Sequence, residues 1–330
     1  MNKFLLLTTV MLNTVLLSSC LKEYKGRINI DGSSSVYPLT EAVAEDFRKE
    51  NSDIRITVGV SGTGGGFKKF LRGETDISNA SRPISTHELE LSRKNGIEFI
   101  EIPVSYDGMA IVVSPKNSFV DYITVAELKK MWSPESQNKV KFWKQVRSSW
   151  PNTKLNLYGA GTSSGTYDYF TEAINGKPKA SRGDYTASED DNVLVQGVSS
   201  DASGLGYFGL AYFTENKDKL RLVPVKYNEH AEAVIPNDST VQHGIYQPLS
   251  RPEFIYVNAK AADKPYVQEF IKFYLEQAGK LSREVGYIPL PEEVYKLSYE
   301  RFTKRITGSV FENKSVVGSN LLQLLSIDNK

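Results

Sequence analysis

Three times in this chain an alternating apolar run ends in a cluster of Ser, Thr and Gly and passes straight into a helix-periodic segment. Arg27–Ile30 leads into Gly32–Ser35, Ile54–Val60 into Ser61–Gly66, and Leu155–Tyr158 into Gly161–Thr166. A period of two followed by a period near 3.6 marks strand then helix, and repeated alternation of the two marks an α/β architecture. After the first turn Leu39, Val43 and Phe47 recur every four residues, with Pro38 in the permissive first turn of the predicted helix. Further strands are expected at Asp76–Ala80, Ile97–Pro103, Met109–Val113, Leu220–Val225 and Phe254–Val257. Helices are expected after Thr124, around Tyr169–Ile174, and at the end of the chain around Val267–Leu275 and Glu292–Arg305. Length, at 330 residues, suits two domains. No Pro/Gly/Ser linker divides the chain, so any two lobes must be joined by ordered strands.

The same three turns carry the candidate chemistry. A helix start leaves backbone N–H groups unpaired and concentrates partial positive charge there. Glycine lets an anion approach the backbone, and Ser or Thr adds hydroxyl donors, so each turn is suited to a phosphate-like guest. One such Ser is ordinarily an N-cap; three turns of this kind in one chain point to a shared anion. Arg82, in Asn79-Ala80-Ser81-Arg82-Pro83 at the end of a predicted strand, offers a planar fork for two oxygens of a tetrahedral ion.

Composition narrows the alternatives. With 40 Lys+Arg against 39 Asp+Glu, the chain lacks the basic field of a nucleic-acid binder. One Cys excludes an internal disulfide and a multi-cysteine metal site, and the anion site requires no metal or cofactor. Gly161-Thr-Ser163-Ser-Gly165 fits the nucleophile elbow of a serine hydrolase, with His230 or His243 as base. That rival leaves the other two Ser/Gly turns without a role. Ser61–Lys69 lacks the Gly-Lys-Ser/Thr of a P-loop. Gly204–Gly209 matches G-x-G-x-x-G but sits among aromatics and reads as a packed turn, and Asp190-Asp191 reads as a solvated loop.

The lone cysteine, Cys20, follows a Lys-led apolar run and Leu17-Ser18-Ser19. This resembles a bacterial lipobox, which implies removal of residues 1–19 and lipid attachment at Cys20. The chain would then work outside the cytoplasm, held at the cell membrane by acyl chains. No later apolar run reaches 18 residues.

In order and spacing, Asp31–Pro38, Ser61–Phe67, Ala80–Ile84 and Ser164–Thr166 resemble the phosphate-binding proteins of high-affinity phosphate ABC importers, the PstS family. Thr186–Gln196 is similar to a stretch in one branch of it. The resemblance implies a two-lobed α/β periplasmic-binding-protein fold with the ligand cleft between lobes joined by crossing strands. Residues 27–106 with 253–330 would form one lobe and 107–252 the other, after a tether at 20–26. Crossings would fall near Val104–Met109 and Arg251–Tyr256. The chain would act as a monomer, not an enzyme, capturing inorganic phosphate for the permease subunits. Phosphate contacts carried over are Ser34, Ser35, Thr63, Ser164, Gly165 and Thr166, to which the residue reading adds Arg82. Some members have, in place of Arg82, an Asp that accepts the phosphate proton and rejects sulfate. Others have an Arg where this chain has Ala160, so Arg82 is expected to supply that guanidinium. Asp107 and Asp191 are the candidate acceptors, and sulfate or another oxyanion is the alternative guest.

Overall fold

The computed structural model describes residues 25–162, 164–188, 190–312 and 320–328; the leader and Cys20 lie outside them. Among the described residues the strands are β1 (Gly26–Gly32), β2 (Ile54–Val60), β3 (Ile77–Ala80), β4 (Phe99–Val113), β5 (Ile123–Thr124) and β6 (Asn156–Ala160). They continue as β7 (Thr186–Ser188), β8 (Gly204–Gly209), β9 (Arg221–Leu222), β10 (Val225–Lys226) and β11 (Ser250–Asn258). One sheet runs β2-β1-β3-β11-β4-β8-β6-β7, with β9 also on β4. Two blocks in it are parallel, β2-β1-β3 and β8-β6-β7. Parallel neighbours need crossover connections, which helices such as Tyr37–Glu50 and Gly62–Phe70 supply.

Between the blocks stand β4 and β11, antiparallel to each other. β4 has 15 residues, all buried, and at 3.3–3.4 Å per residue it runs about 50 Å. Its first part pairs with β11 and its end, Met109–Val113, with β8. The strand therefore passes through both lobes. Its pairing with β11 shifts register between Glu253 and Phe254, opposite Ser105 and Pro103. Pro103 lacks an N–H for the ladder, and a bulge is where a strand tolerates that.

The first parallel block shares its core with the end of the chain. Ile28, Leu39, Val43 and Phe47 pack with Ile100, Ile255, Val267, Phe270, Tyr274 and Phe302. Around the second block an aromatic cluster dominates. Phe170 and Tyr207 stack at 3.7 Å between ring centroids, and Trp132 meets them edge-on at 5.3 and 4.9 Å. No helix among the described residues is long and apolar enough to cross a membrane.

Several expectations need correction. Ile97–Pro103 and Met109–Val113 fall on one strand, Phe99–Val113, in which the intervening Ser105 donates to Glu253 and Tyr106 to Gln242 O. Leu220–Val225 breaks into β9 and β10, on different sheets, around Pro224, which has no N–H to donate. Gly204–Gly209 is the central strand β8 and not a turn; its glycines admit Tyr158 and Val198 close to the backbone. Asp190 is not a loop residue but the N-cap of the helix Asp191–Ser200. A third helix, Leu321–Asp328, follows the two expected at the end of the chain.

The cluster around Trp132 makes a testable point. Trp132 is wholly buried, and truncation there removes three aromatic edges at once. We expect Trp132→Ala to cost about 3–5 kcal/mol of unfolding free energy. Guanidinium denaturation measures this, and a loss below about 1 kcal/mol would show that the cluster is not a principal source of stability.

Candidate functional site

The first turn begins at Gly32, where φ is +147° and a Cβ would lie 2.1 Å from the Asn79 carbonyl oxygen. Only glycine fits that approach. Ser33 N–H then donates to Asn79 O at 2.9 Å, and the helix Tyr37–Glu50 starts without a side-chain cap. The hydroxyls of Ser34 and Ser35 are thus not spent on capping. In the second turn Ser61 gives its hydroxyl to Asp31, and Lys69 Nζ holds the other carboxylate oxygen at 2.6 Å. Gly62–Gly66, expected as a loop, are the first turns of the helix Gly62–Phe70. The glycines serve close packing: a Cβ on Gly66 would lie 2.5 Å from Gly32 Cα. Thr63 Oγ1 lies 3.0 Å from Ser81 Oγ and accepts from Ser81 N–H at 3.2 Å.

The third turn comes from the other side of the cleft. Ser164 caps the helix Gly165–Asn175, accepting from Thr166 N–H at 3.1 Å. Gly165 abuts the first turn so closely that a Cβ would lie 2.7 Å from Ser35 N and 2.9 Å from Ser34 Oγ. The two lobes meet here, around a cavity of about 330 Å³.

Ser34, Ser35, Thr63, Arg82 and Gly165 all line this cavity. Ser164 and Thr166 flank Gly165 but are not among its lining residues. Ser163 lies outside the described residues. His230 and His243 are exposed, and His243 Nδ1 sits 2.8 Å from Ser239 O. Neither lines the cavity. Asp191 opens its own helix away from the lining, and Asp107 is buried on β4. A larger groove, about 680 Å³, runs between the helices Pro265–Glu284 and Glu292–Thr303. None of the three turns reaches it, and its Lys and Glu side chains pair with one another.

Two guanidinium groups border the site, and they differ. Arg82 is engaged: its Nη1 and Nη2 lie 2.8 and 2.9 Å from the two carboxylate oxygens of Glu88. Burial pushes the Glu88 carboxyl up, but the Arg82 fork outweighs it and holds the group below its usual range. Arg251, which the sequence reading missed, is loosely held. Its Cζ rests 3.5 Å from the Tyr169 ring centroid. Its Nη2 is 3.4 Å from Ser35 Oγ, its Nη1 3.9 Å from Glu172, and its buried Nε has no partner. A signal was present: Arg251-Pro252 opens the second crossing segment, as Arg82-Pro83 follows the end of β3. The arrangement gathers hydroxyls, a helix start and a cation with spare donors, which is the chemistry of anion capture.

Comparisons with known proteins agree in kind. A family model described as a PBP superfamily domain matches residues 22–278. The protein SphX of Synechococcus elongatus is 53% identical over 301 residues, covering 91% of this chain and 88% of that protein. The phosphate-binding protein PstS of Staphylococcus saprophyticus is 42% identical over 274 residues, 82% of each chain. A crystal structure of a possible phosphate binding protein from Planctomyces limnophilus superposes with a TM-score of 0.81 at 47% identity, over 86% of this chain and 99% of that one.

Beneath Arg251, Asp107 pairs with it in register across β4 and β11, and Glu253 follows two residues on. Both carboxyls are buried, and Glu253 Oε1 has no partner. Burial, then the Asp107 charge, push Glu253 up to about 8, against the pull of Arg251 and of the Ser105 hydroxyl at 2.9 Å. In the unfolded chain a Glu titrates at about 4.3. Between those values the folded protein holds a proton that the unfolded chain releases. The stabilisation is therefore full at low pH and is lost as pH climbs through the window. Glu253→Gln stays neutral throughout. Its denaturation midpoint is expected to gain on the parent's between about pH 5 and pH 8. Parallel curves would mean that Glu253 is ionised over the whole range.

Proposed function

Because the chain belongs to the PBP superfamily, we propose that it captures inorganic phosphate outside the cytoplasm and delivers it to the permease subunits of an ABC importer. The observation that carries this reading is the meeting of Ser34, Ser35, Thr63 and Gly165, from two lobes, beside the underused guanidinium of Arg251. The guest is held by fixed donors and released unchanged, so the reading contains no bond-making step and no metal or cofactor. Hydrogen bonds to a charged partner contribute roughly 1.5–3 kcal/mol each, and several exceed the roughly 8 kcal/mol of a micromolar complex before ordering costs.

Within this reading Arg251 takes the role expected of Arg82. Arg82 with Glu88 builds the wall, and Ser164 and Thr166 set the start of the helix that presents Gly165. Residues 27–106 with 253–330 act as one lobe and 107–252 as the other, hinged on β4 and β11. Acyl chains on Cys20 and the tether at 20–26 keep the monomer at the membrane. This last part draws on the Leu17–Cys20 pattern alone.

Titration of the protein with phosphate in a calorimeter tests the reading. One site of micromolar or tighter affinity is expected, and absence of phosphate binding would end the proposal. Arg251→Ala is expected to weaken binding by about ten-fold or more, and Arg82→Ala by less. The reverse order would return the guanidinium role to Arg82. Gly165→Ala is expected to weaken phosphate binding as well, because its methyl group would strike the Ser35 backbone as the lobes meet. Unchanged affinity would mean that this contact is not part of the bound form.

A further inference from the structure

Asp168 and Glu172 stand in the wall of the cavity, but a third carboxyl lies behind it and is held differently. Glu253 is wholly buried, two residues after Arg251 on β11, so the two side chains leave the strand on the same face. Its Oε2 accepts from the Ser105 hydroxyl at 2.9 Å, on the residue opposite in register. Its Oε1 is buried and has no hydrogen-bond partner among the described residues. Arg251 Nε is in the same condition, a buried donor with no partner. The outer end of that guanidinium reaches the cavity, where Nη2 lies 3.4 Å from Ser35 Oγ. One face of β11 thus keeps an unused donor beside an unused acceptor, and a bond between them would satisfy both. A neutral carboxyl gains little from such a bond. An ionised one gains a charge-assisted bond about twice as strong.

We propose that Glu253 is a positioning residue that acts through Arg251: with its proton it leaves the guanidinium to the guest, and without it Oε1 takes the Arg251 Nε–H and holds the guanidinium back at the hinge. The inference rests on the phosphate reading above, since it needs Arg251 to meet the guest. Glu253 need not touch the guest, and the guest's own proton plays no part. The charged and titratable groups facing Glu253 are Asp107 on β4, Arg251 beside it, Tyr274 on the helix Pro265–Glu284, Tyr287 just after that helix, and Tyr169 on the helix Gly165–Asn175. Burial pushes the three phenols far above their ordinary range, so they stay neutral where Glu253 titrates. Burial and the Asp107 charge push Glu253 up to about 8. Capture is therefore tightest where Glu253 keeps its proton, and it weakens as pH climbs through that value. By the same linkage, an anion on Arg251 strengthens the hold of Glu253 on its proton.

The test is calorimetric titration of the whole protein with inorganic phosphate between about pH 8 and about pH 9.5, where phosphate itself stays a dianion. The native affinity is expected to fall about ten-fold across this range. Glu253→Gln carries no charge at any pH, and its affinity is expected to fall by less than about three-fold. Equal falls in the two proteins overturn the inference and leave phosphate capture standing. A second measurement reads Arg251 directly in the native protein without phosphate. The nuclear magnetic resonance signal of its Nε, identified by its loss in Arg251→Lys, is expected to move with pH around a midpoint of about 8. Should Glu253→Gln not fold, this signal decides alone: a position that stays constant across the range overturns the assignment. A native protein that binds no phosphate at any pH overturns the functional reading, and the inference with it.

Discussion

The pairing of β4 with β11 is the constraint from which the rest of the structure follows. It joins two parallel blocks that would otherwise be separate sheets, and it does so with residues that are buried along nearly their whole length. A single peptide linker would let the lobes separate freely. Two strands bonded to each other restrict the relative motion to bending, which keeps Ser34 and Ser35 facing Gly165. The same pairing fixes where charge can sit. Arg251 and Asp107 are opposite each other because the register says so, and Glu253 is drawn in beside them by the next outward step of β11.

That trio has an energetic logic. A guanidinium drawn partly out of water needs counter-charge: Glu172 lies 3.9 Å away, and burial pushes the Asp107 and Glu253 carboxyls up against the pull of Arg251. Arg251 is left with donors that its neighbours only partly occupy. The Tyr169 ring holds the guanidinium plane without using any of its N–H groups. Arg82 shows the opposite arrangement. Glu88 meets both arms of its fork at hydrogen-bond distance and is itself fixed as the capping partner of Ser85. An anion competing for Arg82 would have to displace a carboxylate that also stabilises a helix.

Much of this was legible in the residue pattern, for reasons of period and backbone chemistry. The strand at Ile54–Val60, the helix that begins around Pro38, the cap at Thr124 and the first and third Ser/Gly turns all depend on local signals, and local signals survive in one dimension. The crossing strand was half visible. Its apolar ends are legible in the residues themselves, whereas the polar Ser105-Tyr106-Asp107 between them was placed as a crossing only through the family resemblance. Arg251 was hidden for the same reason. The residue pattern gave Arg251 no strand-end turn of its own, and only the fold brings it beside Ser35 and Gly165 in the cavity lining. Arg82 was legible as an arginine at a strand end, but its bond to Glu88 depends on how Ser85 caps the following helix.

The carboxylates in the cavity raise the opposite question, why a site for anions keeps negative charge at all. Donors alone hold any tetrahedral dianion, since hydroxyls and helix starts respond to charge and size and not to protonation. Discrimination needs a group that is unfavourable to the wrong guest. At about 4 Å and an effective dielectric near 20, two like charges cost about 4 kcal/mol, enough to offset more than one good hydrogen bond. Arg251, 3.9 Å from Glu172 on the same cavity wall, offsets part of that negative charge.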